Sequence, residues 1–357
     1  MPKKQKSGLY RAGIKTPDGK TKWLSAKSVA ELEQKKADIA YTTRRGIYAD
    51  DVGYTVGEWG DKWLSLYKSN ASYSTYNGYA NILKNHINPI KNIRLKDLKK
   101  SDIQECINNA SGHYDIQRRI KLTLNQMLES AIDDGLLYRN VSKAVHVPVK
   151  QSSGHRALTV SERSIIPKLD LSTKERAFVY ILWYTGMRPE EARALTVNDI
   201  DLAHDTITVS KAAAFESNKV IVRPPKTASG NRCIDILEPL KAPLCDYLKE
   251  LDNLYLFTQK DGNLMSRTAY RRFWTKIYNK INEALGGNSK IKATDLTPYV
   301  FRHEYATILY YSEVDVKEAA RLMGHRDIRM ILDVYAELDA GKSNSKGKLD
   351  QYLSEAY

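Results

Sequence analysis

The sequence predicts a multidomain α+β protein of three parts: a small basic module of β-sheet plus helix, an all-α domain, and a mixed, mainly helical domain with a small antiparallel sheet. Three observations lead to this class. The 357 residues are enough for two or three domains, and the 42% hydrophobic content provides for their cores. Short polar linkers lie at 46–54 and 147–154. Strand-like runs occur before the first linker and after the second, whereas the stretch between them has only helical periodicity.

The first domain, residues 1–48, has the pattern of a hairpin followed by a helix. Residues 8–15 and 21–25 favour strands, and the intervening Thr-Pro-Asp-Gly-Lys has the chemistry of a tight turn. Ser28 and Glu31 form a capping box that starts an amphipathic helix. A small basic module of this kind fits a DNA groove, although many small modules share the pattern.

Positive charge is concentrated near the N-terminus. The chain carries 56 Lys+Arg against 42 Asp+Glu, which gives a net charge of +14 and a pI of about 9.4. Residues 1–50 hold 12 Lys+Arg against 5 Asp+Glu, a net +7 and half of the excess. A chain this basic suits a polyanionic partner, of which double-stranded DNA is the commonest. We expect Lys22, in the second strand, to contact DNA, whereas charge alone leaves a merely basic soluble enzyme as an alternative.

The cysteines and the hydropathy pattern indicate the compartment. Cys106, Cys233 and Cys245 are an odd number without the spacing of a disulfide framework or a metal site. They therefore predict a reducing compartment and no metal. No apolar run approaches the roughly 20 residues of a membrane span, and no signal-peptide core follows the basic start. These features predict a cytoplasmic protein without a membrane partner.

The second domain, residues 55–147, is predicted to be helical throughout. Thr55 caps a helix that carries Trp59 and Trp63 at helical spacing. Further helices are predicted to begin near Ser74, Ser101 and Asp115. The last of them ends before Gly135, a typical residue beyond a helix C-terminus. The aromatic and aliphatic stripes of these helices are typical of a packed core.

Basic residues on the polar face of the fourth helix of this domain are candidates for phosphate contacts. Arg118, Arg119 and Lys121 lie within four positions of one another. We expect them to lie along a DNA backbone. The alternative, a charged face that is only solvated, stays open at this point.

The third domain, residues 155–357, mixes helices with short strands. Its predicted helices lie at about 161–168, 173–185 and 189–195, with further helices from about 239 onward. Its predicted strands lie at 206–209, 220–222 and 232–236.

Five polar residues of the third domain stand in motif-like settings. Arg188 lies in Thr-Gly-Met-Arg-Pro-Glu-Glu, and Arg302 lies in Thr-Pro-Tyr-Val-Phe-Arg-His. Lys226 lies between them in Pro-Pro-Lys-Thr-Ala-Ser-Gly, a sequence typical of an exposed turn. His325 follows a glycine, and Tyr335 comes ten residues later. This order of two arginines, lysine, histidine and tyrosine resembles the tyrosine recombinases, the phage integrase family.

The resemblance implies a tyrosine that attacks a DNA phosphate without a metal or another cofactor. Cleavage of a phosphodiester develops extra negative charge on the non-bridging oxygens, and guanidinium groups can compensate it with paired hydrogen bonds. Arg188 and Arg302 would supply that charge. Tyr335 would be the nucleophile and would leave a 3′-phosphotyrosyl bond that conserves the energy for rejoining.

The resemblance assigns supporting roles to further residues. Lys226 would donate a proton to the leaving 5′-oxygen, and His325 would hydrogen-bond the phosphate or the nucleophile. Glu191, three residues after Arg188, would orient a neighbouring base or arginine. Tyr299 stands where the family commonly has histidine, three residues before the second arginine. A phenol can donate a hydrogen bond but cannot act as a neutral base near pH 7, so a tolerated substitution, a slower enzyme and a base located elsewhere all stay open.

His303, directly after Arg302, is also usual in the family, and its side chain would leave the helix in a different direction from that of residue 299.

The family also implies partners. We expect an arm-site binder at 1–48, a core-site binder at 55–147 and a catalytic domain at 155–357, acting as a homo-tetramer on two DNA duplexes. The C-terminal tail after Tyr335 would dock on the next protomer, although it could also fold back on its own domain. An excision factor or a DNA-bending protein is a further expected partner. The N-terminal module favours an integrase of a prophage or conjugative transposon.

Two other functions are compatible with the motifs. A type IB topoisomerase uses a similar site but rejoins the same strand, and the two N-terminal modules argue against it. A catalytically weak DNA-binding regulator is the second alternative, with Tyr299 as its first sign of decay. The other intact positions of the motif argue against that reading.

Overall fold

The computed structural model describes residues 8–15, 21–44, 53–137, 139–149, 156–225 and 228–339. The chain divides into two compact units, residues 1–152 and 153–357. Helices dominate both units, and small antiparallel sheets occur in both, as expected for a mainly helical α+β protein. No helix within the described ranges is long and apolar enough to cross a bilayer.

The first unit begins with a two-stranded hairpin and a helix. Strand β1 (Tyr10–Lys15) pairs with β2 (Thr21–Ala26) so that Tyr10 lies opposite Ala26. The predicted turn at 16–20 lies outside the described residues. Helix α1 (Val29–Arg44) packs on both strands and begins where the Glu31 amide donates to the Ser28 hydroxyl. The Ser28 cap is thus present as predicted, but the Glu31 carboxylate accepts from the Lys27 amide instead of the Ser28 amide, so the reciprocal capping box is incomplete.

The rest of the first unit is helical. Its α-helices are α2 (Val56–Tyr67), α3 (Tyr73–Asn85), α4 (Lys100–Asn108) and α5 (Tyr114–Asp133). Short 3₁₀ turns cover Asn88–Ile90, Leu95–Asp97 and Val141–Ala144. Thr55 caps α2, as predicted, and Trp59 and Trp63 are fully buried. The Trp59 indole donates to the Met127 carbonyl on α5, so the aromatic stripe forms the core of this unit.

The second unit is built around one buried helix. Its helices are α6 (Val160–Ile165), α7 (Thr173–Thr185), α8 (Pro189–Ala192), α9 (Glu238–Lys249), α10 (Arg267–Ala284), α11 (Pro298–Tyr311), α12 (Val316–Met323) and α13 (Arg329–Asp339). The 3₁₀ turns cover Ile166–Lys168, Val197–Asp199 and Ala228–Gly230. Helix α7 packs against α9 and α11, and Phe178 and Leu182 on α7 are fully buried.

The strands of the second unit form two sheets instead of the single small sheet that the sequence predicts. They are β3 (Ile200–Asp201), β4 (Thr206–Val209), β5 (Ala212–Glu216), β6 (Lys219–Arg223) and β7 (Arg232–Asp235). Strands β3, β4 and β7 form one antiparallel sheet, and β5 and β6 form a separate hairpin. Strand β5 escaped the sequence analysis because it begins with three alanines, which have little preference for strands.

Candidate active site

Arg302 lies at the centre of the candidate site. This residue of α11 is only 5% exposed, and its guanidinium donates to the carbonyls of Gly186 and Met323 and lies 2.7 Å from His325 Nε2. These carbonyls belong to the C-terminal ends of α7 and α12, where the helix dipoles favour a cation. Burial, and then the charge of Arg188, lower the pKa of Arg302 to about 9. The guanidinium therefore stays protonated at pH 7.

Two glycines allow the helices to end at Arg302. Gly186 (φ 60°) follows α7 and Gly324 (φ 62°) follows α12, both in the left-handed conformation that glycine adopts without strain. A Cβ atom at Gly186 would lie 2.3 Å from the Tyr305 ring, and one at Gly324 would lie 2.8 Å from Arg232 Nη1. The Thr-Gly-Met-Arg and Met-Gly-His motifs thus need glycine for conformation and for space.

Arg188 and Glu191 are held in one network. Arg188 caps α8, and its Nη2 donates to the Gly324 carbonyl at 3.1 Å. Its amide and its Nη1 donate to opposite oxygens of the Glu191 carboxylate, at 3.0 and 2.8 Å. The Arg188 side chain is 30% exposed, whereas Glu191 is buried. Arg188 and Arg302 therefore bind adjacent residues of the segment 323–325, and the guanidinium of Arg188 opens towards solvent.

Arg232, which the sequence analysis did not single out, completes this network. Its Nη2 donates to Glu191 at 2.7 Å, its Nε to the Leu322 carbonyl at 2.7 Å, and its Nη1 to the Gly230 carbonyl. Its side chain is only 1% exposed. Burial acts to raise the pKa of Glu191, but the hydrogen bond and charge of Arg232 outweigh it and lower that pKa. A strand-initial arginine among apolar residues was the sequence signal that could have revealed it.

His325 is held as a neutral imidazole. Burial, and then the charges of Arg302 and Arg188, lower the pKa of His325 to about 3. Its Nε2 lies on the Arg302 guanidinium and therefore accepts, so the ring proton resides on Nδ1. Nδ1 is buried without a hydrogen-bond partner among the described residues. A neutral histidine donor is thus left next to the arginines.

Tyr299 lies one turn before Arg302 on α11 and pairs with an acid that the sequence analysis did not single out. Its hydroxyl donates to the Glu190 carboxylate, at 3.2 and 3.1 Å from the two oxygens. Partial burial, and then the charge of Glu190, raise the pKa of Tyr299 to about 12. Arg302 and Arg188 act in the opposite direction, so both arginines lie within electrostatic reach of the phenol. His303, the next predicted supporting residue, is partly buried on the same helix.

Tyr335 lies on α13, and its hydroxyl makes a longer hydrogen bond than those that hold the arginines. Its hydroxyl donates to the Val314 carbonyl at 3.4 Å, and its ring meets that of Tyr310 edge to face at 5.0 Å. Partial burial raises its pKa. No described hydrogen bond joins Tyr335 to the arginine network. Lys226 lies outside the described residues.

The candidate DNA-contacting residues of the first unit differ in exposure. Arg118 and Arg119 are exposed on α5. Lys121 is partly buried, and its Nζ donates to the Val145 carbonyl at 2.7 Å. Lys22 belongs to β2, but its side chain is not among the described parts of the chain. The structure thus gives Lys121 a structural partner that the sequence analysis did not foresee.

The arrangement as a whole is a site for an anion. The guanidinium groups of Arg188 and Arg302 lie on the segment that carries the neutral His325, and Arg232 lies beside them. Glu191 offsets only part of the charge of these three arginines. Guanidinium groups bind phosphate oxygens with paired hydrogen bonds. Within the described ranges, no group of three or more His, Cys, Asp or Glu side chains is placed to hold a metal ion.

Comparison with known proteins identifies the class. Residues 159–342 match the Phage integrase family, and residues 55–111 match the phage integrase N-terminal SAM-like domain. The chain therefore belongs to the phage integrase family, the tyrosine site-specific recombinases, which confirms the resemblance seen in its motifs.

Individual relatives agree with this assignment. The chain is 23% identical to a XerC-like tyrosine recombinase of Caldanaerobacter subterraneus subsp. tengcongensis, over 87% of this chain and 86% of that protein. It is 25% identical to the ICEBs1 integrase of Bacillus subtilis, over 76% of this chain and 73% of that protein.

Solved structures share the fold. The Tn1549 transposon integrase in complex with transposon right end DNA has a TM-score of 0.69 and 22% identity, and the match covers 79% of this chain and 95% of that chain. A lambda integrase tetramer bound to a Holliday junction has a TM-score of 0.61 and 19% identity, and covers 92% and 93%.

Proposed function

We propose that this recombinase cleaves and rejoins double-stranded DNA through a 3′-phosphotyrosyl bond to Tyr335, and so moves a mobile element into and out of a chromosome. One observation carries the proposal: Arg188 and Arg302 donate to neighbouring carbonyls of the segment 323–325, beside the neutral His325, and neither the carbonyls nor the imidazole neutralises the charge of Arg302. A scissile phosphate is the anion that a recombinase must bind.

The chemistry assigns each residue a role. Arg188 and Arg302 stabilise the charge that develops on the non-bridging oxygens, and His325 donates a further hydrogen bond. Lys226 protonates the leaving 5′-oxygen. Glu191 holds Arg188 in place and does not react. Because the new bond keeps the energy of the old one, rejoining to another strand needs no ATP.

The partners and domains follow the same proposal. Residues 1–48 bind arm sites, residues 55–147 bind core sites, and residues 155–357 carry the chemistry. The lambda integrase was solved as a tetramer on a Holliday junction. We extend that assembly to this chain as a homo-tetramer on two DNA duplexes, linked through its C-terminal tail. An excision factor or a DNA-bending protein stays a prediction.

The test uses an attachment-site duplex that is nicked near the cleavage position, so that cleavage traps the covalent complex. Wild type is expected to become linked to a 3′-phosphate, whereas Tyr335→Phe is expected to bind the duplex equally and form no adduct. Tyr299→His in the same assay measures what the substitution at that position costs. If wild type binds its own site but never forms the adduct, the DNA-binding regulator replaces the recombinase. If it only relaxes supercoils, the topoisomerase does.

A further inference from the structure

Strand cleavage needs an acceptor for the proton of the attacking tyrosine, and the described site offers few. Glu191 is unsuited, because both of its oxygens already accept hydrogen bonds from Arg188 and Arg232. These donors lower its pKa. A carboxylate that is buried and fully engaged does not take up a proton readily.

His325 is also unsuited as the base. Its Nε2 lone pair faces the Arg302 guanidinium, and Nδ1 carries the ring proton. A second proton would place another positive charge beside Arg302 and Arg188. His325 can donate a hydrogen bond here, but it has no free lone pair with which to accept a proton.

Glu190 and Tyr299 form a further acid–base pair among the described residues around these arginines. The phenol donates its proton to Glu190, at 3.1 and 3.2 Å from the carboxylate oxygens. Because that proton is directed to Glu190, the phenolic oxygen keeps lone pairs that can accept a proton from another group. Tyr299 lies one helical turn before Arg302 on α11.

Charged and titratable groups surround the pair of Glu190 and Tyr299. The charged and titratable groups that act on the pair are Arg188, Arg302, Arg193 and Tyr270. Arg193, three residues after Glu190, is 5% exposed, and its guanidinium stacks on the rings of Phe215 and Tyr270. Its Nε and Nη1 have no hydrogen-bond partner among the described residues. The charges of Glu190 and Tyr299 both act on this buried guanidinium.

We propose that Glu190 is the proton acceptor for strand cleavage and that it acts through Tyr299. As the Tyr335 oxygen bonds to phosphorus, its proton moves to the Tyr299 oxygen, and the Tyr299 proton moves to the Glu190 carboxylate. The bond from phosphorus to the 5′-oxygen breaks, and that oxygen takes its proton from the acid. On rejoining, the two protons return along the same path. The inference rests on the proposed function and supplies the base that the sequence left unassigned.

Two substitutions interrupt this path at different atoms. Glu190→Gln keeps an oxygen that accepts the Tyr299 hydrogen bond but takes no proton near neutral pH. Tyr299→Phe removes the relay oxygen. Single-turnover cleavage of the nicked duplex is expected to fall by about 10²-fold in each, the ordinary contribution of a general base. Glu238→Gln, which removes one exposed carboxylate on α9, is the matched control and should cleave like wild type.

The pH profile separates this role from a structural one. Wild type has a phenol and no imidazole at position 299, so its cleavage rate should show no step at an imidazole pKa between pH 6 and 8. Tyr299→His should instead cleave faster as pH rises through the imidazole pKa of roughly 6.5. A variant that had only lost packing would change its rate at all pH values alike.

A duplex with sulfur in place of the 5′-bridging oxygen separates base from acid. A thiolate leaves without a proton, so a defect in the acid is rescued on this substrate. Glu190→Gln and Tyr299→Phe should stay about 10²-fold slow on it, whereas Lys226→Ala should recover.

The outcomes are distinct. If wild type forms no adduct, the proposed function fails and this inference falls with it. If wild type and the control form the adduct and either Glu190→Gln or Tyr299→Phe cleaves at the wild-type rate, the relay alone is refuted. Rescue of Glu190→Gln by the sulfur substrate would likewise refute it, because Glu190 would then serve the acid step.

Discussion

The two units of this recombinase differ in what they bury. In the described part of the first unit, the buried polar side chains are uncharged: Gln117, Thr123 and Ser142. Among the described residues of the second unit, eight charged side chains are buried: Glu162, Glu175, Glu191, Arg193, Asp199, Arg232, Arg302 and Glu304. Buried charge is costly unless it is paired, so a fold that needs only stability avoids it. The difference indicates that the second unit maintains a charged interior for its chemistry.

The buried charges are not all held alike. Glu175 lies 2.8 Å from both Lys276 and Lys280, an arrangement typical of a structural ion pair. Arg302 instead has carbonyl groups and a neutral histidine as its described hydrogen-bond partners, with no carboxylate among them. Its positive charge is therefore left for an anion from outside the protein. The predictions follow from this contrast between buried charges that are paired within the protein and a buried charge that has no described carboxylate partner.

The largest expected effect comes from Arg302→Lys. Lysine keeps the charge but replaces the planar fork with a single point donor, so it cannot hold two carbonyls and a phosphate together. We expect covalent adduct formation to fall by about 10³-fold. Arg321→Lys, at an exposed side chain of α12 that is paired with Glu318, is the matched control and should stay near wild type. Activity of Arg302→Lys within about 10-fold of wild type would mean that the charge alone suffices.

Arg232→Met is expected to have the next largest effect, on stability. It leaves the buried Glu191 with Arg188 as its single charged partner, and breaking a buried pair costs about 3 kcal/mol. Urea unfolding measures the loss. Glu191→Gln in the Arg232→Met background should recover most of it, because the unpaired charge is then removed. Strictly additive losses in the double variant would show that Arg232 does not act through Glu191.

The sequence predicted the mainly helical α+β fold with small antiparallel sheets. It also led to Arg188, Arg302, His325 and Tyr335 as candidates, because their motifs are local in the chain. Arg232 and Glu190 were missed, because their roles depend on contacts 41 and 109 residues away. No local pattern reveals such a pairing. Likewise the strand β5 consists of residues with weak strand preference, and only its pairing with β6 makes it a strand.

The state of His325 could not be read from the sequence either. A histidine after glycine has an ordinary pKa of about 6.5, and only burial beside Arg302 reveals that it stays neutral. The role of Lys226 as the proton donor stays a prediction, because Lys226 lies outside the described residues.

His325 gives a pH-dependent stability of intermediate size. Its pKa is about 3 in the native state and 6.5 ordinarily, so between these values the unfolded chain binds the extra proton. Stability should therefore decrease as pH falls below 6.5, by up to about 2 kcal/mol at pH 5. Urea unfolding of wild type and His325→Asn at pH 5 and 7 isolates the contribution of His325 to the free energy of unfolding, since the other histidines are common to both proteins. An equal pH slope in the two proteins would mean that His325 titrates normally.

The smallest expected effect tests the first unit, where charges stay at the surface. Arg118 and Arg119 are exposed on α5, whereas the Lys121 ammonium is bound to the Val145 carbonyl. If the two arginines contact phosphates, Arg118→Ser or Arg119→Ser should weaken DNA binding about 3- to 10-fold and reduce the slope of log affinity against log salt by about 1. Lys121→Met is the matched control, and anisotropy of a labelled duplex across a salt series is the measurement. If the slope changes for Lys121→Met and not for the two arginine variants, the phosphate contact lies at Lys121. In that case a partly buried cation of the first unit binds DNA, although its ammonium group also donates to a backbone carbonyl.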